Sequence, residues 1–355
     1  MSQVIIVTGA AGYLGQRIVS HAYVRGFRVK AIVRPGSDIS QNIWAKHAGI
    51  EVIEIDLASR LAKDKLVEVM SEGRGPSPVI IHAAGTMVGD DDFHGAHTVQ
   101  PTSYIVEAMV QAGIRRLVLI SSLSVYGYSV LPDFGQLDET TPSEYFLLQR
   151  DAYCRAKVAQ EGIVVEAAQK YGINVTALRP GAIIGPRRLW TSRLGIIKGS
   201  VVIRFGREAY VPLVYVDHCA DAAVLAAEKN IVVSDVYVQP DNFGQCGAFE
   251  AINVIDDMMP TQQQYINLLR EYTSICPQLT INISWNVMKR IASALSFLAM
   301  FQPKIHNKMP GLLKEASLHA RIKPLRYSNA RLHDRLGWST KLSCKDVIKL
   351  SANEI

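Results

Sequence analysis

Short runs of apolar residues recur along the first half of the chain, separated by longer stretches of helical periodicity. The runs are Val4–Thr8, Arg28–Val33, Val52–Ile55, Val79–His82, Leu117–Ser121 and Val175–Leu178. They are rich in valine and isoleucine and nearly continuous in apolar character. That suits parallel strands covered on both faces, where neither side alternates with water. Between them, Gly15–Arg25, Pro101–Ala112 and Tyr153–Lys170 carry the helical spacing. Strand and helix in alternation predict an α/β fold: a doubly wound parallel sheet of the Rossmann kind.

The beat changes after Pro180, where Gly181, Gly185 and Pro186 mark a loop. A further strand is expected at Glu250–Ile255, a helix near Thr261–Glu271 and an amphipathic helix at Trp285–Phe301. Residues 1–180 are thus read as a dinucleotide-binding domain, with later returns to it near 213–256. Residues 181–355 are read as mainly a smaller C-terminal substrate-binding domain. The default role of Trp285–Phe301 is core packing; a lid over a greasy substrate, or contact with a membrane surface, is the less favoured reading.

Composition narrows the classes. The 355 residues are 48% hydrophobic and 20% charged, which is ordinary for a globular protein. The apolar run Ile291–Phe301 is too short to span a bilayer, so no transmembrane segment is expected. The chain enters an apolar strand by Val4 without a basic leader. Five cysteines, Cys154, Cys219, Cys246, Cys276 and Cys344, are scattered and odd in number. They argue against a disulfide framework and for a reducing, cytoplasmic setting. The net charge of +6 is modest and lacks the basic, aromatic-interleaved stripe of a nucleic-acid binder. A small-molecule substrate is the expected partner.

The first strand runs into Thr8-Gly9-Ala10-Ala11-Gly12-Tyr13-Leu14-Gly15 and then a helix. Gly9 permits a sharp turn, Gly12 a close backbone approach to a pyrophosphate, and Gly15 close packing of helix on sheet. The helix N-terminus offers free N–H groups to phosphates. Between a strand and a helix, this spacing reads as a dinucleotide site. The second strand ends in Arg34. A free ribose 2′-hydroxyl is usually met by an acid here, whereas an arginine pairs with a 2′-phosphate. NADP(H) is therefore expected in preference to NAD(H). Asp56, with Leu57 beside it, is placed to meet the adenine, and Ala83, Ala84 and Gly85 let a cofactor lie against the backbone.

Tyr153 and Lys157 stand four apart and so share a helix face. A tyrosine titrates near about 10, too high for an acid–base group at neutral pH unless nearby cations stabilise its phenolate. Lys157 and a bound nicotinamide are such cations. Ser122, at the end of the fifth strand, is placed to hydrogen-bond the substrate oxygen. Other clusters are weaker. Asp90, Asp91 and Asp92 with His94 and His97 read as an acidic helix start rather than a metal site. Arg187, Arg188 and Arg193 beside Trp190 read equally as an anion-binding loop and as an exposed basic loop.

These segments together resemble the extended short-chain dehydrogenases/reductases, which include nucleotide-sugar epimerases, dihydroflavonol reductases and 3β-hydroxysteroid dehydrogenases. The similarity rests on TGAAGYLG, the Asp56-Leu57 pair, HAAG at His82–Gly85, SSLSVYG at Ser121–Gly127 and DETTP at Asp138–Pro142. It continues through YCRAK, LRPGAIIGP at Leu178–Pro186, LVYVDHCADA at Leu213–Ala222 and RLGWST at Arg335–Thr340. The resemblance implies Ser122, Tyr153 and Lys157 as the catalytic set. It implies a cofactor site that includes Tyr13, Leu14, Tyr153, Lys157 and Pro180, a bidomain architecture, and a homodimer.

Departures from the family pattern narrow the chemistry. Leu123 and Ser124 stand where dehydratases carry an Asp-Glu pair. Val211 stands where many nucleotide-sugar enzymes place an arginine on the substrate pyrophosphate, and Thr98 where a family asparagine is expected. The sequence thus points to an oxidoreductase interconverting a secondary alcohol and a ketone, with a nucleotide-sugar epimerase as the alternative.

Overall fold

A computed structural model describes residues 3–40, 42–72, 76–229, 247–301 and 314–353. Cys246 lies outside them. Seven parallel strands form the central sheet: β1 (Val4–Thr8), β2 (Arg28–Val33), β3 (Ile50–Glu54), β4 (Val79–His82), β5 (Arg116–Ile120), β6 (Asn174–Pro180) and β7 (Phe249–Val254). Their spatial order is β7-β6-β5-β4-β1-β2-β3, a doubly wound sheet whose direction of winding reverses between β1 and β4.

Alternation within each strand divides the core. Ile5 and Val7 of β1 point to one face, where α1 (Gly15–Val24) packs against α5 (Val216–Glu228). Ile6 points to the other, where α2 (Ala62–Ser71), α3 (Gln100–Ala112) and α4 (Ala152–Tyr171) lie. A period-2 strand with both faces buried leaves no polar alternation, which explains the continuous apolar runs.

The boundaries shifted in places. β3 begins at Ile50 rather than Val52, because Ile50 is buried and pairs with Val29 while the exposed Glu51 interrupts the run. α2 escaped the sequence pattern, since only Ala62, Leu66, Val69 and Met70 are buried and most of its other positions are charged. The expected seventh strand and the helix after it are present. The helix, α6 (Gln262–Tyr272), starts on a capping box in which Thr261 and Gln264 each bond the other's backbone N–H.

Beyond Pro180 the chain does two things. Val201–Phe205 pairs with Ile196–Lys198 and Leu279–Ile283 in a three-stranded sheet, beside α7 (Trp285–Phe301) and α8 (Glu315–Ile322). Helices α9 (Ala330–Leu336) and α10 (Cys344–Ala352) return instead to the large core, where Leu332, Leu336, Val347 and Ile348 join the residues packed around α1 and α5. Among the described residues no helix is long and apolar enough to cross a membrane.

Candidate active site

The turn from β1 into α1 is held by the chain's own backbone. Gly9 has φ +70°, and a Cβ there would lie 2.7 Å from the Cα of Ala84. A Cβ on Gly15 would lie 2.0 Å from the Gly9 carbonyl oxygen. These glycines are thus required by the contact of turn, helix and β4 before any ligand arrives. The same turn floors a cleft of about 300 Å³ at the reversal point of the sheet. Gly9, Gly12, Arg34, Asp56, Leu57, Ala83, Ala84 and Gly85 all line it. Small residues along the floor, with Arg34 and Asp56 at the ends of β2 and β3, suit a dinucleotide laid against backbone.

Other residues expected at the cofactor are placed differently. Leu14 and Pro180 are buried; Leu14 belongs to the core around α1. Tyr13 lies under the guanidinium of Arg188, 4.4 Å from its ring centre. Sequence reasoning missed Ser37, Thr86 and His97, which also line the cleft. Only for Ser37 was there a signal: its position in the Arg34-Pro35-Gly36-Ser37 turn, closed by Ser37 N–H donating to the Arg34 carbonyl at 3.0 Å.

The catalytic candidates meet beside this cleft. Asp151 caps α4 by accepting from Cys154 N–H at 2.9 Å, which fixes the helix start and sets Tyr153 in its first turn. The Tyr153 phenol, half-buried, is pushed up in pKa by burial, while a hydrogen bond with Ser122 works the other way. Ser122 Oγ accepts from Ser124 N–H at 3.1 Å, which leaves its own proton to donate. His94 stands edge-on to the Tyr153 ring at 6.0 Å, buried and with Nδ1 unpartnered.

Lys157 is buried one turn further on, and its Nζ would lie 3.7 Å from a Cβ on the cleft residue Gly85. Burial pushes its pKa down to about 8, against the pull of the Glu161 carboxylate. Its Nζ donates to the Ile120 carbonyl and to Gln160 Oε1, both at 2.8 Å. An ammonium offers only donors, so the oxygen of the Gln160 amide faces Lys157 and its NH₂ faces away. That NH₂ donates to Thr102 Oγ at 2.8 Å and lies 3.2 Å from His82 Nε2. His82 Nε2 also lies 3.0 Å from Thr102 Oγ, and its Nδ1 lies 2.7 Å from Thr8 Oγ. Burial and the Lys157 cation push the His82 pKa down to about 3, so the ring is neutral. Lys157 is thus seated on a neutral polar network that reaches back through β4 to β1.

Thr98, like Lys157, lies beside Gly85, in the π-helical turn Gly95–Val99 that precedes α3. Its hydroxyl accepts from Thr86 N–H at 3.2 Å. Asp90 caps the short turn Asp91–His94 by accepting from Phe93 N–H, and Asp91 pairs with Arg155 at 2.7 Å. Among the described residues no cluster of histidine, cysteine and acid could hold a metal.

Val211 is 1% exposed within the large core. The other arginines are dispersed. Arg204 is tied to Asn282 and Gln263 inside the three-stranded sheet. Arg193 donates to the hydroxyls of Tyr128 and Tyr327, at 3.1 and 3.2 Å. A larger cavity of about 920 Å³ opens beside Tyr327, Tyr210 and Met259; neither the glycine loop nor Ser122, Tyr153 or Lys157 lines it.

A doubly wound sheet, a glycine loop at its reversal point and a Ser-Tyr-Lys set beside it define an extended short-chain dehydrogenase/reductase. The chain belongs to the NAD dependent epimerase/dehydratase family, whose model matches residues 5–238. It is 29% identical over 189 residues to cinnamoyl-CoA reductase 1 of Oryza sativa subsp. japonica, covering 52% of this chain and 54% of that protein. It is 28% identical over 213 residues to sterol demethylase protein B of Methylococcus capsulatus, covering 58% of this chain and 59% of that one. The chain thus spans little more than half the length of these curated relatives. Its fold matches the UDP-glucuronic acid 4-epimerase of Bacillus cereus solved with NAD, at TM-score 0.68 and 18% identity, over 99% of this chain and 98% of that one. The UDP-glucose 4-epimerase of Thermus thermophilus, also solved with NAD, matches at TM-score 0.66 and 20% identity over the same shares.

Proposed function

We propose that the chain is an NAD(P)(H)-dependent oxidoreductase interconverting a secondary alcohol and a ketone. The carrying observation is Ser122 against the Tyr153 phenol, with buried Lys157 one turn on, beside the glycine-floored cleft. When bound, the nicotinamide supplies or accepts the hydride. Tyr153 passes a proton between its phenol and the substrate oxygen. Ser122, whose Oγ accepts from Ser124 N–H and keeps its own proton, donates to that oxygen as its charge changes. Lys157, held by Ile120 and Gln160 one turn from Tyr153, is the cation that would favour the ionised phenol.

NADP(H) preference is part of this reading. Arg34 is exposed at the cleft and makes no ion pair among the described residues. A charge-assisted contact to a 2′-phosphate is worth about 1.5–3 kcal/mol. Arg34→Ala is expected to weaken NADP(H) by about tenfold or more and to spare NAD(H), by calorimetric titration. Equal affinity of the unaltered protein for both cofactors would refute the preference. The homodimer implied by the family is tested by light scattering.

The second reading is a nucleotide-sugar epimerase. On its side stands Arg193, a cation bonded to two tyrosine hydroxyls and in no ion pair among the described residues. Against it stand the burial of Val211 and the engagement of Arg204. An epimerase returns its hydride to the substrate, whereas an oxidoreductase exchanges cofactor each cycle. A panel of UDP- and GDP-sugars is expected to give no thermal shift. A hydrophobic alcohol or ketone is expected to give a stoichiometric change at the nicotinamide absorbance band. Stabilisation by one such sugar, with its epimer formed and cofactor absorbance constant, decides for the epimerase.

A further inference from the structure

Two long stretches of the chain carry no acidic residue: Ala167–Arg207 and Tyr272–Phe301. They supply all three strands of the small sheet and the whole of α7. Strand partners share a face, so Ile196, Ile203 and Ile281 point to one side of that sheet, with Val201, Lys198 and Leu279 on the same side. The inner end of this face is covered. Phe205, Ile203 and Ile283 pack against Trp285, Met288 and Ala292 of α7. The outer end is bare: Ile196, Leu279 and Ile281 are 47, 61 and 53% exposed. On α7 itself Val287 and Ile291, four apart and so on one stripe, are 45 and 42% exposed.

Cations accompany these apolar groups. Lys198 shares the bare sheet face, and Arg290 is exposed beside Ile291. Neither makes an ion pair among the described residues. Of the acids nearby, Asp133 pairs with Lys289 of α7 at 3.3 Å and Glu208 with Arg207 at 2.7 Å, while Glu315 of α8 makes no ion pair among the described residues. A second copy of this surface would bring like charges together, and an acidic protein groove would gain little from so flat an apolar margin. A sheet of negative headgroups over hydrocarbon matches both the charge and the apolar exposure.

We propose that the small sheet and α7 form a docking face for an anionic lipid bilayer, on which the protein rests without spanning it. The test is co-sedimentation of the full chain with vesicles of phosphatidylcholine alone and of phosphatidylcholine with phosphatidylglycerol. Binding is expected to the second, at least tenfold weaker to the first, and to fall as salt rises. Each basic residue at such a surface is worth about fivefold in affinity. Lys198→Glu with Arg290→Glu is therefore expected to weaken binding by about 25-fold or more. Ile281→Ser should weaken it several-fold, with thermal unfolding and dinucleotide affinity unchanged in both variants.

Equal binding to both vesicle types, absence of binding, or indifference to salt would overturn the proposal. The salt titration uses the unaltered chain, so it stands even where a variant misfolds. A lipid-free dimer that Ile281→Ser dissolves would assign the face to a second copy and also overturn it.

Discussion

Tyr153→Phe is expected to lower turnover by about two to four orders of magnitude, the usual worth of a positioned acid–base group. Only a hydroxyl is removed. The ring keeps its place at the start of α4, where Asp151 caps the helix and His94 stands edge-on. The cleft lining includes Gly9, Arg34 and Gly85 but not Tyr153, so dinucleotide affinity should change little. The measurement is kcat on the true substrate beside a dinucleotide titration of the same variant. A kcat near that of the unaltered enzyme would remove Tyr153 from the reaction. His94 would then be the next group to replace, because it is buried against the Tyr153 ring with Nδ1 unpartnered. Burial pushes its pKa down, against the neighbouring aspartates, so it would enter such a reaction as a neutral base.

Glu161→Ala is expected to destabilise the fold by about 3–5 kcal/mol, as breaking one half of a buried ion pair does. Glu161 accepts from Arg179 through both oxygens, at 2.9 and 2.6 Å, with both side chains nearly out of solvent. It also accepts from Ser121 Oγ at 2.5 Å. Alanine would strand the Arg179 guanidinium, which otherwise rests 4.6 Å from the Tyr126 ring centre. The effect should reach the site as well. Ser121 immediately precedes Ser122, and the Glu161 carboxylate supports the charge on Lys157. Chemical unfolding with the midpoint and slope both measured checks the stability. Glu161→Gln, which keeps the hydrogen-bonding oxygen, should recover part of the loss. A change below about 1 kcal/mol, the scale of an exposed pair, would show that the pair is solvated in solution.

Much of the site was legible in the sequence because it is local. The glycine spacing sits within one strand–turn–helix unit, and Tyr153 and Lys157 are four apart on one helix. The end of a strand that must lead into the cleft located Ser122, Asp56 and Ala83–Gly85. Reading by position does not give the direction of a side chain. Leu14 lies inside the glycine motif yet turns into the core, and Pro180 closes a buried strand. Thr86 and His97 face the cleft from the segment between β4 and α3, which carries no regular period to reveal its inner side.

Periodicity along the chain determines alternating elements, a sheet covered on both faces and pairs four residues apart, since each follows from backbone geometry within a few residues. Only the tertiary structure decided what those pairs rest on. Lys157 reaches Gln160 within its own helix, but the network continues to His82 on β4 and Thr8 on β1, brought together by strand order. The same packing took Val211 into the core, tied Arg204 to Asn282 across strands, and left one margin of the small sheet apolar, basic and bare. Burial and partnership depend on which distant segments meet, and a local pattern of apolar and polar residues does not encode that.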